Sequence, residues 1–217
     1  TRRVLAIEFH GNQVLTDAEL RRLSRTRRGQ EFDRWKMEAA AIEMRTVYAR
    51  KGYRRTRVVS RAEGPQRGDV TVHHYIQEGP PTRISRIWWK GDPAFAPGRL
   101  GEVLELERGD VLDQDELDEG LERLRRFYRR HQYLEAEIRP PRVEPELQAL
   151  FEVVTIEIQA GPRVELEFEG NAVLSERQLT VALDLDDHKG DLDQYVLRDL
   201  ADRLESLYRR HGYARVA

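Results

Sequence analysis

The chain of 217 residues contains no cysteine, which excludes a disulfide-held scaffold and thiolate zinc sites. It has no apolar run approaching the ~18 residues that a membrane-spanning helix requires. It also opens without the basic and apolar segments of a secretion leader, so we expect the chain as given to be soluble. The formal charge of −2, from 37 basic and 39 acidic residues, argues against a general nucleic-acid binder unless that charge is unevenly distributed.

Motifs that carry chemistry are also missing. The sequence has no nucleophile elbow, phosphate-binding loop or metal-ligand spacing, so it predicts neither an enzyme nor a cofactor-binding protein. His73 aligns with the outward Thr155 and His74 with the inward Ile156. Because neighbours on a strand point to opposite faces, the two histidines cannot easily share an ion, and we expect no metal site. The acidic stretch 184–191 resembles a calcium-binding loop only faintly. The twelfth position of that loop would be Tyr195 instead of the required glutamate, which favours an ordinary acidic turn.

What the sequence does contain is an internal repeat, marked by three features in the same order. An alternating segment ends at Gly11, Gly91 and Gly170, which are 80 and 79 residues apart. A tyrosine pair follows at 48 and 53, 128 and 133, and 208 and 213, and a Gly-Pro step follows at 79–80 and 161–162. Such periodicity indicates tandem structural units. We predict units over 1–81, 82–162 and 163–217, the third truncated before its last strand.

Each unit predicts the element order β-α-α-β-β. The alternating segment, including 163–169 in the third unit, favours a strand. Short helices are predicted near 16–25, 96–106 and 175–184, with Thr16 and Ser175 as caps. Longer helices are predicted after Asp33, Asp113 and Asp193. The remaining strands are predicted at 53–61 with 69–77, and at 133–139 with 150–159.

The longer helices share one apolar stripe, as a helix lying on a sheet requires. The stripe comprises Met37, Ala41, Met44 and Tyr48, then Leu117, Leu121, Leu124 and Tyr128, then Leu197, Ala201, Leu204 and Tyr208. We therefore predict an α+β fold in which each unit is a three-stranded sheet covered on one face by two helices.

The repeated unit resembles the POTRA (polypeptide-transport-associated) domain. The similarity lies in the strand that ends in Gly-Asn, the Gly-Tyr after the long helix and the Glu-Gly-Pro step at 78–80 into the next unit. The second unit departs most, with Gly91-Asp92-Pro93 at the turn and Gln132 in place of the helix-ending glycine. The resemblance covers the whole chain.

This resemblance implies a scaffold arm at the periplasmic face of the bacterial outer membrane, in an assembly, insertion or translocation factor. Its partners would be unfolded outer-membrane protein substrates, periplasmic chaperones or lipoprotein accessory subunits, and a C-terminal membrane β-barrel of its own, but no nucleic acid. Strand addition at a sheet edge suits this task, because main-chain hydrogen bonds accept many sequences. Two alternatives stay open: the arm of a two-partner secretion transporter, and a structural adaptor without a barrel.

The net charge is divided unevenly among the units. The first has 17 basic and 10 acidic residues (+7), the second 12 and 17 (−5), and the third 8 and 12 (−4). If the strand order follows the family, the middle strand is the free edge. It carries Arg55, Arg57 and Val59 in the first unit, and Glu135 and Glu137 in the second. We predict that the first unit presents a basic edge to an acidic partner or anionic lipid. Ordinary solvated surface is the alternative, since charged edges also prevent aggregation.

Trp88 and Trp89 are adjacent on the opening strand of the second unit. Trp89 aligns with Phe9 and is predicted to face the core, which places Trp88 on the opposite face. An outward tryptophan needs a cover. We predict a contact between units as that cover, with a partner-binding role for Trp88 as the alternative.

Overall fold

The computed structural model of the chain describes residues 2–65, 68–146, 150–185 and 194–213. The predicted cap Asp193 and the acidic stretch after Leu185 lie outside the described residues. Among the helices in these ranges, none combines the length and the apolar character that crossing a membrane requires. In chain order the elements are β1 (Arg2–His10), α1 (Asp17–Leu23), α2 (Arg34–Arg50), β2 (Arg57–Glu63), β3 (Gly68–Gln77), β4 (Arg83–Asp92), α3 (Pro97–Leu104), α4 (Gln114–Arg130), β5 (Glu137–Ile138), β6 (Arg142–Pro145), β7 (Phe151–Gln159), α5 (Glu176–Leu183) and α6 (Gln194–Arg210).

The first repeat folds in the predicted β-α-α-β-β order. Its sheet has the order β1-β3-β2, with β1 parallel to β3 and β2 antiparallel to it. Parallel strands need a long crossover connection, which α1, α2 and β2 supply here. Buried side chains from both helices and from two strands form one core, which consists of Phe9, Leu15, Leu20, Ala40, Met44, Tyr48 and Ile76. The predicted α+β architecture is therefore confirmed for this repeat.

Side-chain caps begin the helices where the sequence predicts them. Thr16 and Ser175 each form a capping box at the start of a short helix, satisfying backbone N–H groups that have no intrahelical acceptor. Asp33 accepts hydrogen bonds from the first backbone N–H groups of α2, and Asp113 accepts one from Asp115 N at 2.8 Å. These side chains set where each helix starts.

The apolar stripe of the long helix is buried in the first two repeats, as predicted. All four stripe residues of α2 and all four of α4 are buried. In α6, however, Leu197 is 54% exposed and Ala201 is also exposed, so the prediction of a third buried stripe is wrong. The strands that cover α2 and α4 have no described counterpart beside α6.

The third repeat opens without a strand at 163–169, contrary to the prediction. Its side chains nevertheless alternate as predicted. Val164, Leu166 and Phe168 pack against a small core that includes Leu183, while the intervening glutamates are exposed. A strand needs a hydrogen-bonded neighbour. In the first repeat that neighbour is the last strand, and the third repeat has no described equivalent.

The second sheet has the order β4-β7-β5, and β6 also pairs with β7. The single middle strand predicted over 133–139 is wrong in its bounds. It consists of the two-residue β5 and, after a gap, the four-residue β6. Pro140 and Pro141 occupy the gap, and a proline cannot donate a ladder hydrogen bond.

The chain divides into two compact units that cut across the repeats. The first unit comprises Thr1–Arg86, Glu107–Leu117 and Glu144–Val153, and the second comprises Ile87–Leu106, Asp118–Val143 and Val154–Ala217. Three segments of the second repeat, 82–86, 107–117 and 144–153, therefore belong to the same compact unit as the first repeat. The repeat boundaries at 81 and 162 stay a prediction of the sequence.

Ion pairs join the end of α2 to the start of α4 within the first compact unit. Lys51 Nζ lies 2.9 Å from Asp113 Oδ2 and 3.2 Å from Asp115 Oδ2. Arg50 lies 2.6 Å from Asp115 Oδ1. The hydrogen bond from Arg50, with a second from Lys51, lowers the pKa of Asp115. The hydrogen bond to Asp113 raises the pKa of Lys51. Because Asp113 also caps α4, one largely buried carboxylate serves both the helix and the junction.

Gly52 lies at the centre of this junction. Its φ of +85° suits glycine, and a Cβ built there would lie 2.6 Å from Val111 Cγ1 and 3.0 Å from the carbonyl oxygen of Leu112. The carbonyl of Gly52 also accepts a hydrogen bond from Thr82 N at 2.8 Å. The glycine therefore permits both the backbone turn and the close approach of 111–112.

We expect Gly52→Ala to destabilise the protein more than Gly29→Ala. Gly29 has a similar φ of +82°, but a Cβ there would meet nothing within 4 Å. Gly29→Ala should therefore lower the free energy of unfolding only by the backbone strain, about 1 kcal/mol. Gly52→Ala should add roughly 1–3 kcal/mol for overpacking. Urea unfolding of both variants measures the difference, and equal losses would contradict the close approach.

Candidate functional site

The uncovered edge of the first sheet is β2. It pairs with β3 alone, and among the described residues no further backbone hydrogen bond reaches 57–63. The prediction that the middle strand of the first repeat lies at an edge is confirmed. Such an edge presents unpaired N–H and C=O groups that can pair with another extended chain.

The opposite edge, β1, is covered by the chain itself. Val4 N donates to the carbonyl of Gln30 at 2.8 Å, and Gly29 N donates to the carbonyl of Val4 at 2.7 Å. The second repeat repeats this cover 80 residues later. There the bonds run from Ile84 N to Asp110 O at 2.9 Å and from Gly109 N to Ile84 O at 2.8 Å. The glycine turn after the short helix thus protects part of the opening strand and leaves the middle strand open.

Two of the three predicted residues of the first repeat lie on β2. Arg57 and Val59 are exposed on this strand, Val59 with 53% of its surface open. The prediction that Arg55 belongs to the strand is wrong, because Arg55 lies in the turn before it. Thr56 N donates to the carbonyl of Tyr53 at 3.2 Å, which closes that turn. Arg55 is exposed beside the start of β2.

The second repeat places its predicted residues in the same way. Glu135 lies in a turn, where Ala136 N donates to the carbonyl of Tyr133 at 3.3 Å. The prediction of Glu135 as a strand residue is therefore also wrong. Glu137 is exposed as the first residue of the short β5. Of the two acidic counterparts of the basic edge, Glu135 therefore precedes β5 and Glu137 begins it, and this strand ends after two residues.

The larger basic surface of the first repeat lies beside α1 and was not predicted. An open groove of about 940 Å³ has Leu5, Ala6 and Ile7 of β1 in its wall, and is bordered by Arg21, Arg22, Arg25, Arg27 and Arg28. Arg25 pairs with Glu43 at 2.7 Å. Within the described ranges, no ion pair engages the other four arginines. Their spacing in sequence shows a charge run, but only the fold brings them to one groove.

Trp88 is 48% exposed on β4, while Trp89 is half-buried on the other side of the strand. The exposure of Trp88 agrees with its predicted outward direction, whereas the predicted core position of Trp89 stays a prediction. The contact between units stays a prediction, and so does the partner-binding role of Trp88. Both the tryptophan and β2 of the first repeat offer apolar surface that a partner could cover.

The outer face of the first sheet carries a cluster that the sequence did not predict. Glu8 and His10 of β1 lie on the same face as His73 of β3. His10 Nε2 lies 3.2 Å from His73 Nδ1, and His73 Nδ1 lies 3.3 Å from Glu8 Oε2. The i, i+2 spacing of Glu8 and His10 was a visible signal. Their meeting with His73 depends on the parallel pairing of β1 with β3.

His74 points the other way, into the core, as predicted. It is 1% exposed, and its Nδ1 lies 2.6 Å from the hydroxyl oxygen of Ser60. Burial, with a smaller contribution from the nearby charge of His73, lowers the pKa of His74 to about 4. The imidazole is therefore neutral at pH 7 and serves the core.

Comparison with known proteins identifies the repeated unit. The family model described as POTRA, surface antigen variable number repeat, matches residues 3–79 and 82–161. The outer membrane protein assembly factor BamA of Nitratidesulfovibrio vulgaris is 25% identical over 185 residues, which cover 77% of this chain. A putative outer membrane protein assembly factor of Treponema pallidum is 26% identical over 140 residues, 62% of this chain.

The matched region is a small part of each relative. It spans 23% of the first and 17% of the second. Among solved structures, POTRA domains 3–5 of Haemophilus influenzae BamA align with 98% of this chain and 86% of that chain, with 16% sequence identity and a TM-score of 0.45. The family assignment rests on the family model.

We expect His74→Ile to remove an acid sensitivity of the first repeat, because isoleucine does not titrate. Ile156 is buried at the aligned position of the second repeat, so an isoleucine suits this position in the core. The folded-state pKa near 4 lies below the ordinary 6.5, so the unfolded chain binds the proton more readily. Stability is therefore complete above pH 6.5 and falls as the pH drops towards 4, by about 3 kcal/mol in total.

Urea unfolding across this pH range measures the loss. Ser60→Ala, which removes the hydroxyl but keeps the imidazole, should retain the acid sensitivity. A His74→Ile variant that loses stability as steeply as the natural sequence would contradict this role.

Proposed function

The chain belongs to the POTRA family, and from this we propose that it is a periplasmic scaffold arm of an outer-membrane protein assembly or translocation factor. The similarity to one outer membrane protein assembly factor and to a second, putative one supports this. The arm would hold unfolded outer-membrane protein segments and accessory proteins without covalent chemistry. Its place would be the periplasmic face of the outer membrane.

The uncovered β2 edge is the observation that carries the proposal. Seven consecutive residues, none of them proline, form this strand, and their outer backbone groups face no described partner. An extended segment can add to such an edge by main-chain hydrogen bonds, whatever its sequence. This suits a protein that must receive many different unfolded chains.

The first repeat is better suited to strand addition than the second. In the second repeat, Pro140 and Pro141 interrupt the corresponding strand and remove two backbone donors. Residue 139 is still joined to the sheet, by a bond from Arg139 N to Glu157 O at 3.0 Å. We therefore assign capture to β2 and a supporting role to the second repeat.

The charge of the first repeat would select among substrates. Arg57 and Arg61 project outward from β2, and the five arginines of the groove beside α1 add a wider positive field. Such a field raises the rate at which acidic segments arrive, an effect that salt weakens. Acidic unfolded segments are therefore the preferred cargo.

Site-specific crosslinking tests the proposed edge. Because the chain has no cysteine, Val59→Cys creates a unique thiol that can carry a photoreactive group. Arg139→Cys is the matched control, 80 residues later on the interrupted strand. With a synthetic strand peptide from an outer-membrane protein, we expect strong crosslinking at 59 and weak crosslinking at 139. Equal yields at both positions would contradict capture at β2.

A charge exchange tests the preference for acidic segments. Arg55→Glu with Arg57→Glu gives the first repeat the charges of the second at these positions. Each exposed charge contributes up to about 1 kcal/mol, so we expect the Kd for an acidic peptide to rise roughly tenfold and its salt dependence to decrease. Glu135→Arg with Glu137→Arg is the control and should leave the Kd nearly unchanged. An unchanged Kd and salt dependence in the first variant would refute the preference.

A further inference from the structure

Three side chains on the outer face of the first sheet converge on one point. They are Glu8 and His10 of β1 and His73 of β3, and their nearest ligand atoms all lie within 4.8 Å of one another. His10 Nε2 and His73 Nδ1 are 3.2 Å apart, His73 Nδ1 and Glu8 Oε2 are 3.3 Å apart, and His10 Nε2 and Glu8 Oε2 are 3.8 Å apart. Among the described residues, this is the one group of three such ligand atoms that lie close enough together to hold an ion.

The triangle has the dimensions of one face of a tetrahedral metal site. Zinc lies about 2.0–2.1 Å from nitrogen and oxygen ligands, and tetrahedral geometry then separates the ligand atoms by about 3.3–3.4 Å. Two of the three distances are already within about 0.1 Å of that range. The third requires a movement of only about 0.4 Å, which the exposed Glu8 side chain can make by rotating.

We propose that Glu8, His10 and His73 form a binding site for a divalent transition-metal ion of the zinc type. Two imidazoles and one carboxylate favour such an ion over Ca²⁺ or Mg²⁺, which prefer oxygen ligands alone. Three protein ligands on an exposed face leave a fourth position for water or for a side chain of a partner.

The surroundings of the triangle support a cation. The other ring nitrogen of His73, Nε2, lies 3.8 Å from Glu63 Oε2. A carboxylate that accepts a hydrogen bond from a ligating histidine orients the ring and increases its basicity. The exposed Glu63 side chain is close enough to form such a bond after a small rotation. Arg61 lies opposite His73 in the strand register, and its positive charge would repel a bound cation. Its guanidinium lies over the Tyr75 ring, 5.9 Å from the ring centroid. The carboxylates of Glu8 and Glu63 therefore lie at or beside the triangle, and Arg61 is the one arginine named near it.

The second repeat lacks this site. Trp88, Lys90 and Thr155 occupy the aligned positions of the second repeat, and none of them is a zinc ligand of the usual kind. A bound ion would join β1 directly to β3. Because it binds only the folded sheet, it would raise the free energy of unfolding of the first repeat by an amount that grows with the logarithm of the ion concentration once this exceeds the Kd.

Titration of the metal-free 217-residue chain with Zn²⁺ tests the site. We expect one equivalent to bind and the thermal midpoint to rise as zinc is added. Co²⁺ should give the intense visible absorption of a tetrahedral site. His73→Gln, His10→Gln and Glu8→Gln should each weaken binding at least tenfold, and Glu63→Gln should weaken it by about tenfold as an outer partner. Glu8 is exposed and the partly buried His73 lies on the outer face of the sheet, so these changes leave the core on the opposite face intact.

His211→Gln is the matched control, because this histidine lies outside the cluster, and zinc affinity should not change. Histidine nitrogen shifts measured by NMR should move at Nδ1 of His73 and at Nε2 of His10. Zinc binding that is as strong in His73→Gln as in the natural sequence would overturn the proposal, as would the absence of binding. The three side chains would then be a hydrogen-bonded cluster and nothing more.

Discussion

The parallel pairing of the first and last strands of a repeat is the constraint on which the other features depend. Once β1 and β3 lie side by side in the same direction, the two helices between them must cross one face of the sheet. Because residues 29–30 cover the outer side of β1, the middle strand pairs on the far side of β3, which leaves it at the edge. The third repeat shows what happens when this pairing is missing from the described residues. Its opening segment has the correct alternation, but with no described last strand beside it there is no ladder, and Leu197 of its long helix stays exposed.

The two complete repeats use this shared frame differently. In both, a glycine turn covers the opening strand through a reciprocal pair of backbone bonds. The first repeat leaves a continuous basic edge strand, whereas the second interrupts its edge with two prolines and presents acidic residues there. The second also contributes 107–117 and 144–153 to the compact unit of the first, where Asp113 and Asp115 bind the end of α2. In the proposed arm, one repeat therefore receives extended chains and part of the next supports it.

Much of this could be predicted from the sequence, because the signals are local. Alternation placed His73 outward and His74 inward, and Thr16, Asp33 and Ser175 marked where helices begin. The errors occurred where a short-range contact outweighed the pattern. Arg55 and Glu135 fall in tight turns closed by backbone bonds to Tyr53 and Tyr133, a geometry that alternation cannot distinguish from the start of a strand.

The sequence by itself determined the repeat, the order of its elements, the inward and outward faces of each strand and the family. The faces follow from periods of two and about four along the chain, and the repeat follows from the 80-residue spacing of the markers. The family follows from the resemblance of the motifs. Only the tertiary structure decided which outward residues meet. The register of β1 on β3 brings Glu8 and His10 to His73 across 63 residues of chain, and the packing of α1 beside β1 collects the arginines into one groove. The physical reason is that a local pattern specifies the direction of a side chain, whereas strand register and helix packing specify its neighbours.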